Sequence, residues 1–313
     1  MSHTLRIGTR GSKLALAQSR WVQSCLQARH PDLAIELVVI KTTGDRFVDQ
    51  PLSQLGGKGV FVKEIEEAML AGTIDCAVHS MKDVPSELAP GLVIAATPPR
   101  EDPRDLLITR ANVGFHQLPS GARIGTSSLR RMALLRAFRS DIEVQTLRGN
   151  VDTRLGKLDG GELDAIVLAA AGLRRLGIAR QDSVAFDPEH FVPAIGQGVL
   201  ALESRADATV ALLAVLEDAP TRIAVTAERA FLLRVGGSCR TPLAAYATVN
   251  GDSITLRALI ADPDGTRVLR AEHSGSAATA VALGTGLADE LLGRGGAEIL
   301  RALDVQSGAR DGG

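Results

Sequence analysis

Cysteine is scarce in this chain of 313 residues: Cys25, Cys76 and Cys239 are too few and too scattered for a disulfide framework or a four-thiolate zinc site. Aromatic residues make up only 3%, with one Trp and one Tyr, which leaves little for stacking nucleic-acid bases. No apolar run approaches the ~20 residues that span a bilayer, and no apolar stretch near the start leads to a small-residue cleavage site. The expected location is cytoplasmic, with no membrane partner. A charge excess is missing too: the net charge of −1 argues against a general nucleic-acid binder.

Lysine is the last shortage, with 6 against 29 arginines. A GC-rich genome alone produces such a bias. The alternative is recognition of carboxylates, which guanidinium forks match in bidentate fashion and ammonium groups do not.

What is present is apolar material enough for several cores. Hydrophobic residues are 45% and charged residues 23%, as in an ordinary globular protein, and this length predicts two or three domains. A weak repeat organises the first two thirds. Arg6-Ile7-Gly8-Thr9 recurs as Arg123-Ile124-Gly125-Thr126, and Gly72-Thr73-Ile74-Asp75-Cys76-Ala77-Val78 is echoed by Gly161-Glu162-Leu163-Asp164-Ala165-Ile166-Val167. In each copy the first element is followed by a helix, a strand, a helix and the second element, so two domains of one topology with parallel sheets are expected. In copy one, Leu14, Ala17, Trp21 and Cys25 recur at helical spacing after the N-cap candidate Ser12, which predicts their burial. The prolines of 97–103 read as a linker, and a second crossing falls near 188–198. Beyond Pro220, a helix, three alternating runs and a closing helix predict a small α+β domain.

Three segments carry the chemistry. Ile74 to Val78 reads as a strand that Pro85 forbids from continuing, so His79-Ser80-Met81-Lys82-Asp83-Val84 lies at a strand's carboxyl end, where open α/β sheets bind ligands. Gly8-Thr9-Arg10-Gly11-Ser12-Lys13 and Gly125-Thr126-Ser127-Ser128-Leu129-Arg130-Arg131 join strands to helix starts and make anion sites, with Leu147-Arg148-Gly149-Asn150-Val151-Asp152-Thr153-Arg154 as a third. Plain capping accounts for Ser12 but poorly for the arginines. No Walker or dinucleotide motif is present. Cys239, in a Gly-rich loop beside Arg240, has the exposure and positive neighbour that favour a thiolate: a nucleophile, a redox sensor or an attachment point.

From Leu5 to about Leu303 these segments resemble the porphobilinogen deaminase (hydroxymethylbilane synthase) family. The resemblance also rests on Gly56-Gly57-Lys58-Gly59-Val60-Phe61, Ala169-Ala170-Ala171-Gly172-Leu173 and Ile195-Gly196-Gln197-Gly198, all in family order. It implies an α/β fold: two similar domains like the halves of a periplasmic binding protein around a cleft, and a small α+β C-terminal domain with a three-stranded antiparallel sheet. The expected division is 1–98 with about 199–217, then 99–198, then 218–313.

The same resemblance implies a transferase of tetrapyrrole biosynthesis that condenses four porphobilinogen molecules into hydroxymethylbilane, releasing ammonia each time. Cys239 matches the position carrying a dipyrromethane cofactor through a thioether, and Asp83 the catalytic carboxylate. Ser80, Lys82, Asp83, Thr126, Ser127, Ser128, Arg130 and Arg131 match cofactor contacts. Arg10, Ser12, Arg148, Arg154, Arg175 and Gln197 match substrate contacts, with Lys58 and Phe61 as loop residues. Where relatives often carry a Lys before the Gly-Gly pair, this chain has Gln54. A monomer is expected, its product passing to uroporphyrinogen-III synthase. Two other readings stand on the residues alone. One is a non-catalytic anion-binding two-domain protein, against which the Cys239 loop counts; the other is a thiol redox sensor, which leaves the arginines unexplained.

Overall fold

Ser12 fixes the first helix: its hydroxyl accepts the Ala15 N–H at 3.2 Å, satisfying one of the donors that a helix start leaves free. The computed structural model describes residues 4–43, 62–236 and 241–308, so Gln54, Lys58, Phe61 and Cys239 lie outside the described residues. The first unit contains β1 (Leu5–Thr9), α1 (Lys13–Arg29), β2 (Ile35–Val39), α2 (Lys63–Leu70), β3 (Cys76–Ser80) and β4 (Leu92–Ala96). The chain then crosses to β5 (Asp105–Thr109), β6 (Arg123–Gly125), α3 (Leu129–Phe138), β7 (Glu143–Gln145), α4 (Val151–Asp159), β8 (Ala165–Ala169), α5 (Ala170–Arg175) and β9 (Ser183–Ala185). It crosses back to β10 (Leu200–Arg205) and α6 (Thr209–Leu213).

The two sheets have one plan. Their strand orders are β2-β1-β3-β10-β4 and β7-β6-β8-β5-β9. The expectation of parallel sheets needs correction, because β10 runs antiparallel to β3 and β4, and β5 antiparallel to β8 and β9. The reversed strand in each sheet is the one that the chain lays down as it arrives from the other unit. Pairing direction there is set by a partner distant in sequence, not by a local crossover helix.

The repeated motif has a structural cause. Arg6 sends its backbone N–H (2.8 Å), Nε (3.1 Å) and Nη2 (2.8 Å) to the Asp75 carboxylate and bonds the Gly72 carbonyl at 2.9 Å. Arg123 repeats these bonds to Asp164 at 2.9, 3.3 and 3.4 Å and to the Gly161 carbonyl at 3.4 Å. The clamps tie β1 to the turn before β3 and β6 to the turn before β8.

Two local expectations also shift. α1 buries Ala15, Gln18, Ser19, Val22 and Leu26, leaving Trp21 45% exposed and Cys25 half-buried. Gln18 can be buried because its amide donates to the Ser80 hydroxyl at 3.0 Å. The strand read at 74–78 lies at Cys76–Ser80, so His79 is inside it and buried.

In the third unit α7 (Ala219–Val235) begins at the N-cap Asp218 and ends at Gly236, whose φ of 72° is the left-handed conformation that glycine accepts without strain. It packs with α8 (Ala280–Leu291) and α9 (Ala297–Gly308) on the antiparallel sheet β11 (Leu243–Asn250), β12 (Ser253–Ala261) and β13 (Val268–Ser276). Ile254, Leu256, Ala258 and Ile260 of β12 face these helices, while Leu259 and Ala261 join the second unit's core with Leu134 and Phe191. Period-two alternation thus lets one strand glue two cores.

Candidate active site

The Asp83 turn is fastened from behind. After β3, a short 3₁₀ turn over Met81–Asp83 buries Met81 and leaves Asp83 exposed. The Met81 N–H donates to the Val199 carbonyl at 2.9 Å, in the segment that returns from the second unit. Gly196, with φ of 70°, packs so close that a Cβ there would stand 2.9 Å from the Met81 Cβ. Arg229 of α7 donates to the Pro85 and Ser86 carbonyls at 2.9 and 3.0 Å. The strand end, the crossing and the third unit therefore all hold the turn that presents Asp83.

Cations surround that carboxylate. Burial pulls the half-buried Lys82 ammonium down to about 8, with Asp83 and Asp105 opposing and Arg131 and Arg130 adding to the shift. Arg154 at the start of α4 donates Nε to the Gly149 carbonyl at 2.8 Å. Burial first, and repulsion from Arg131 and Arg148, pull it down to about 10 against the attraction of Asp83. Arg175 donates to the Gly198 carbonyl at 2.6 Å, and burial likewise lowers it to about 10. Arg10 and Arg148 are half-buried beside these groups' loops.

In the second unit Ser128 caps α3, accepting the Arg131 N–H at 3.4 Å; Thr126 accepts the Ser128 N–H at 3.2 Å, and Ser127 donates to the Leu147 carbonyl. α3 carries Arg130 and Arg131 inward, where both grip Asp105. Arg130 Nη1 lies 2.8 Å from Oδ2, and Arg131 Nη2 and Nε lie 2.7 and 3.0 Å from Oδ1. Arg130 Nη1 also donates to the Val192 carbonyl and Arg131 Nη1 to the Val167 carbonyl, each at 2.8 Å. Gln197 adds its amide to Asp105 at 3.0 Å and to the Pro103 carbonyl at 2.6 Å. Burial alone would raise the Asp105 carboxyl, but Arg130 and Arg131 more than offset it and hold the group well below the usual carboxylate range.

The five cations Lys82, Arg130, Arg131, Arg148 and Arg154 thus face two carboxylates, Asp83 and Asp105, in one coupled cluster. Arg130 Nε and Gln197 Oε1 are buried there without hydrogen-bond partners. Positive charge therefore exceeds negative charge in the cluster. Across the same cleft Lys13, next to the Ser12 cap, bonds Asp152 of α4 at 2.6 Å, joining the first anion loop to the third.

Residues 5–212 match the family described as porphobilinogen deaminase, dipyromethane cofactor binding domain, and residues 222–293 match the porphobilinogen deaminase C-terminal domain. The chain belongs to the porphobilinogen deaminase family. It is 53% identical over 306 residues to the porphobilinogen deaminase of Syntrophotalea carbinolica, covering 97% of each chain. It is 55% identical to that of Trichlorobacter lovleyi, covering 95% of each. Among solved structures, the periplasmic aliphatic sulphonate binding protein SsuA from Escherichia coli aligns at TM-score 0.39 and 17% identity, covering 74% of this chain and 70% of that one.

The cation excess fits a porphobilinogen deaminase cofactor, since each pyrrole unit of a dipyrromethane carries two carboxylates. Among the described residues, no helix is long and apolar enough to cross a membrane, and no cluster of ligands suits a metal ion. Sequence reasoning missed Asp105, the counter-ion of both buried arginines, and Gln18, which orients Ser80. The signal for Asp105 was slight: an acid beside Pro103-Arg104 at the start of an apolar run.

Proposed function

We propose that Asp83 is the catalytic carboxylate of this enzyme and that the arginine cluster around it holds the carboxylates of cofactor and substrate. The reaction is that of a transferase in tetrapyrrole biosynthesis: four porphobilinogen molecules are condensed into hydroxymethylbilane with release of ammonia. The observation that carries the assignment is the cluster of five cations facing two carboxylates, of which Asp83 alone is exposed.

At each condensation the carbon–nitrogen bond of the aminomethyl group breaks and ammonia leaves, so that the substrate becomes a methylene-pyrrole cation. Asp83, fixed by the Met81 and Arg229 contacts, places a negative charge where that positive charge develops, and preorganised charge of this kind lowers a barrier without reorganisation. A new carbon–carbon bond then forms and the attacked ring carbon loses its proton, for which the same carboxylate is an acceptor. Lys82, Ser80, Thr126, Ser127, Ser128, Arg130 and Arg131 would hold the cofactor, and Arg10, Ser12, Arg148, Arg154, Arg175 and Gln197 the incoming and elongated carboxylates. When bound, the dipyrromethane supplies the first pyrrole carbon to be attacked.

Chemistry favours Cys239 as the attachment point. Burial pushes the Cys76 thiol up to about 12 and raises that of Cys25, away from the thiolate form that attachment needs. The proposal includes the division 1–98 with about 199–217, 99–198 and 218–313, which the placement of β10 in the first sheet supports. It also includes a cytoplasmic monomer that hands its product to uroporphyrinogen-III synthase. Intact mass and peptide mapping of active enzyme test the attachment: two linked pyrrole units should remain on Cys239 after denaturation, with Cys25 and Cys76 unmodified. Active enzyme with a free Cys239 would refute it.

A further inference from the structure

One ion pair spans the cleft and takes no part in the reaction as described. Lys13 Nζ of α1 lies 2.6 Å from Asp152 Oδ2 of α4, and with the two side chains 76% and 43% exposed the pair is screened by solvent. Each partner adjoins a proposed carboxylate contact. Lys13 follows Ser12 and lies three positions after Arg10, and Asp152 stands between Arg148 and Arg154. The pair therefore joins the first anion loop to the third, at the two helix starts that follow them. A second contact between the units lies beside it: α1 packs against α5, where Leu14 Cδ2 stands 3.9 Å from the position that a Cβ on Gly172 would take.

Local preference explains only half of the pair. Asp152 is the acidic residue in the first turn of α4, where the helix dipole favours negative charge. Lys13 opens α1, which has no acidic residue in its first turn, so the ammonium stands against the positive end of the dipole. Among the described residues its ion-pair partner is Asp152, in the other unit. Asp152 is in turn a misfit for its loop, because a carboxylate between Arg148 and Arg154 repels the carboxylates that those arginines would hold. Each charge is out of place in its own loop and is compensated only across the cleft. The chain passes between the two units from β4 to β5 and again from β9 to β10, and domains linked in this way shift relative to one another unless a large apolar interface prevents it. A bond across the cleft mouth is placed to oppose that shift.

We propose that Lys13 and Asp152 are a positioning pair for the condensation reaction: their ion pair sets the spacing between the loop of Arg10 and Ser12 and the loop of Arg148 and Arg154, and so the distance across which the carboxylates of porphobilinogen and the growing chain are gripped. The proposal rests on the reading that these loops hold carboxylates. The test is steady-state kinetics of the holoenzyme with porphobilinogen for Lys13→Met, Asp152→Asn, the double variant and Arg154→Met, with thermal unfolding measured beside it. An exposed ion pair supplies little energy, so each single variant of the pair should raise KM about two- to fivefold, with kcat within about twofold and Tm within about 3 °C of wild type. The double variant should raise KM no further than the larger single change, since the pair can be broken only once. The sign for Asp152→Asn separates positioning from plain binding. If Lys13 merely binds a substrate carboxylate, removing the nearby acid lowers KM, and the proposal fails. Multiplied effects in the double variant would mean that the two charges act independently, and wild-type KM in both single variants would mean that the loops keep their spacing without the pair; either result overturns the proposal. Arg154→Met should raise KM more than either single variant of the pair. An unchanged KM there would overturn the reading of the loops, and the positioning role with it, whereas a raised KM there with none in Lys13→Met and Asp152→Asn would overturn the positioning role alone.

Discussion

The two α/β units share strand order, clamp and helix-capping loops, yet only the first places an acid just past the strand that follows its clamp. After β3 comes Ser80-Met81-Lys82-Asp83; after β8 comes Ala170-Ala171-Gly172-Leu173-Arg174-Arg175, which turns directly into a helix. The second unit instead buries Arg130 and Arg131, two and three positions after its cap Ser128, against Asp105, while the matching positions after the cap Ser12 hold Leu14 and Ala15. On the proposed function, two units of one plan divide the labour: the first brings the carboxylate assigned to the reaction, Asp83, and the second brings buried positive charge. What was kept in both copies is the Arg–Asp clamp, which serves the fold.

The largest expected effect on stability comes from breaking the feature found only in the second unit. Asp105→Asn leaves two buried guanidinium groups facing each other, and loss of one partner of a buried ion pair costs about 3–5 kcal/mol. Calorimetry should show a fall in Tm of roughly 10 °C for an effect of that size. A sign follows for pH as well. The folded-state value of Asp105 lies below its unfolded value, so its contribution is complete above about pH 4 and is lost as the pH falls further. Asp105→Asn should accordingly unfold with a weaker acid dependence than the wild type.

Cutting the shared clamp sharpens the comparison, because the two copies differ in burial. The Asp75 side chain is 4% exposed and also meets Arg205 at 3.5 Å, whereas that of Asp164 is 32% exposed with longer bonds. Asp75→Asn should cost about 1.5–3 kcal/mol, as hydrogen bonds to buried charge do. Asp164→Asn should cost about 1 kcal/mol or less, since solvent screens the second clamp. Equal losses in urea titrations of the two variants would mean that the clamps carry the same load and that burial does not rank them.

A smaller effect distinguishes lysine from arginine across the cleft. Lys82, lowered by burial to about 8, is partly neutral above that pH, whereas Arg154 and Arg175 of the second unit lose their charge only from about 10 upward. Binding of porphobilinogen carboxylates should restore its charge, so that KM rises between pH 8 and the ordinary value of 10.5 and binding takes up a proton in that window. Folding alone has the opposite proton traffic: the folded state binds fewer protons at Lys82, so this group's effect on stability is a gain as pH rises from about 8 to 10.5. Lys82→Met should remove the KM trend; its persistence would assign the trend to another group.

Much of this division was legible in the sequence, for physical reasons that can be named. The repeat at Arg6-Ile7-Gly8-Thr9 and Arg123-Ile124-Gly125-Thr126 could be read because the clamp uses residues at fixed short range from each strand, and caps such as Ser12 and Ser128 are local as well. The reversal of β5 and β10 could not, since nothing local in Leu200–Arg205 encodes which distant strand it will meet. For the site, the segments that carry Asp83 and the arginines could be read as candidates locally, but the pairing of Arg130 and Arg131 with Asp105 depends on a strand 25 residues away in sequence that the fold brings under α3. The same holds for Gln18 on Ser80 and for His79 with Glu203: each is a polar residue whose burial becomes intelligible only once its partner is in place.

The central claim is that the fixed negative charge of Asp83, presented by the first unit to cations held by the second, drives the condensation. Asp83→Asn keeps the shape and removes the charge, so the most direct measurement is its kcat on porphobilinogen beside its thermal stability. Asp83→Asn should show an unchanged Tm and a kcat lower by roughly 10²–10³, the usual loss when one preorganised electrostatic group is removed. A folded Asp83→Asn enzyme working within a few-fold of the wild-type rate would contradict it.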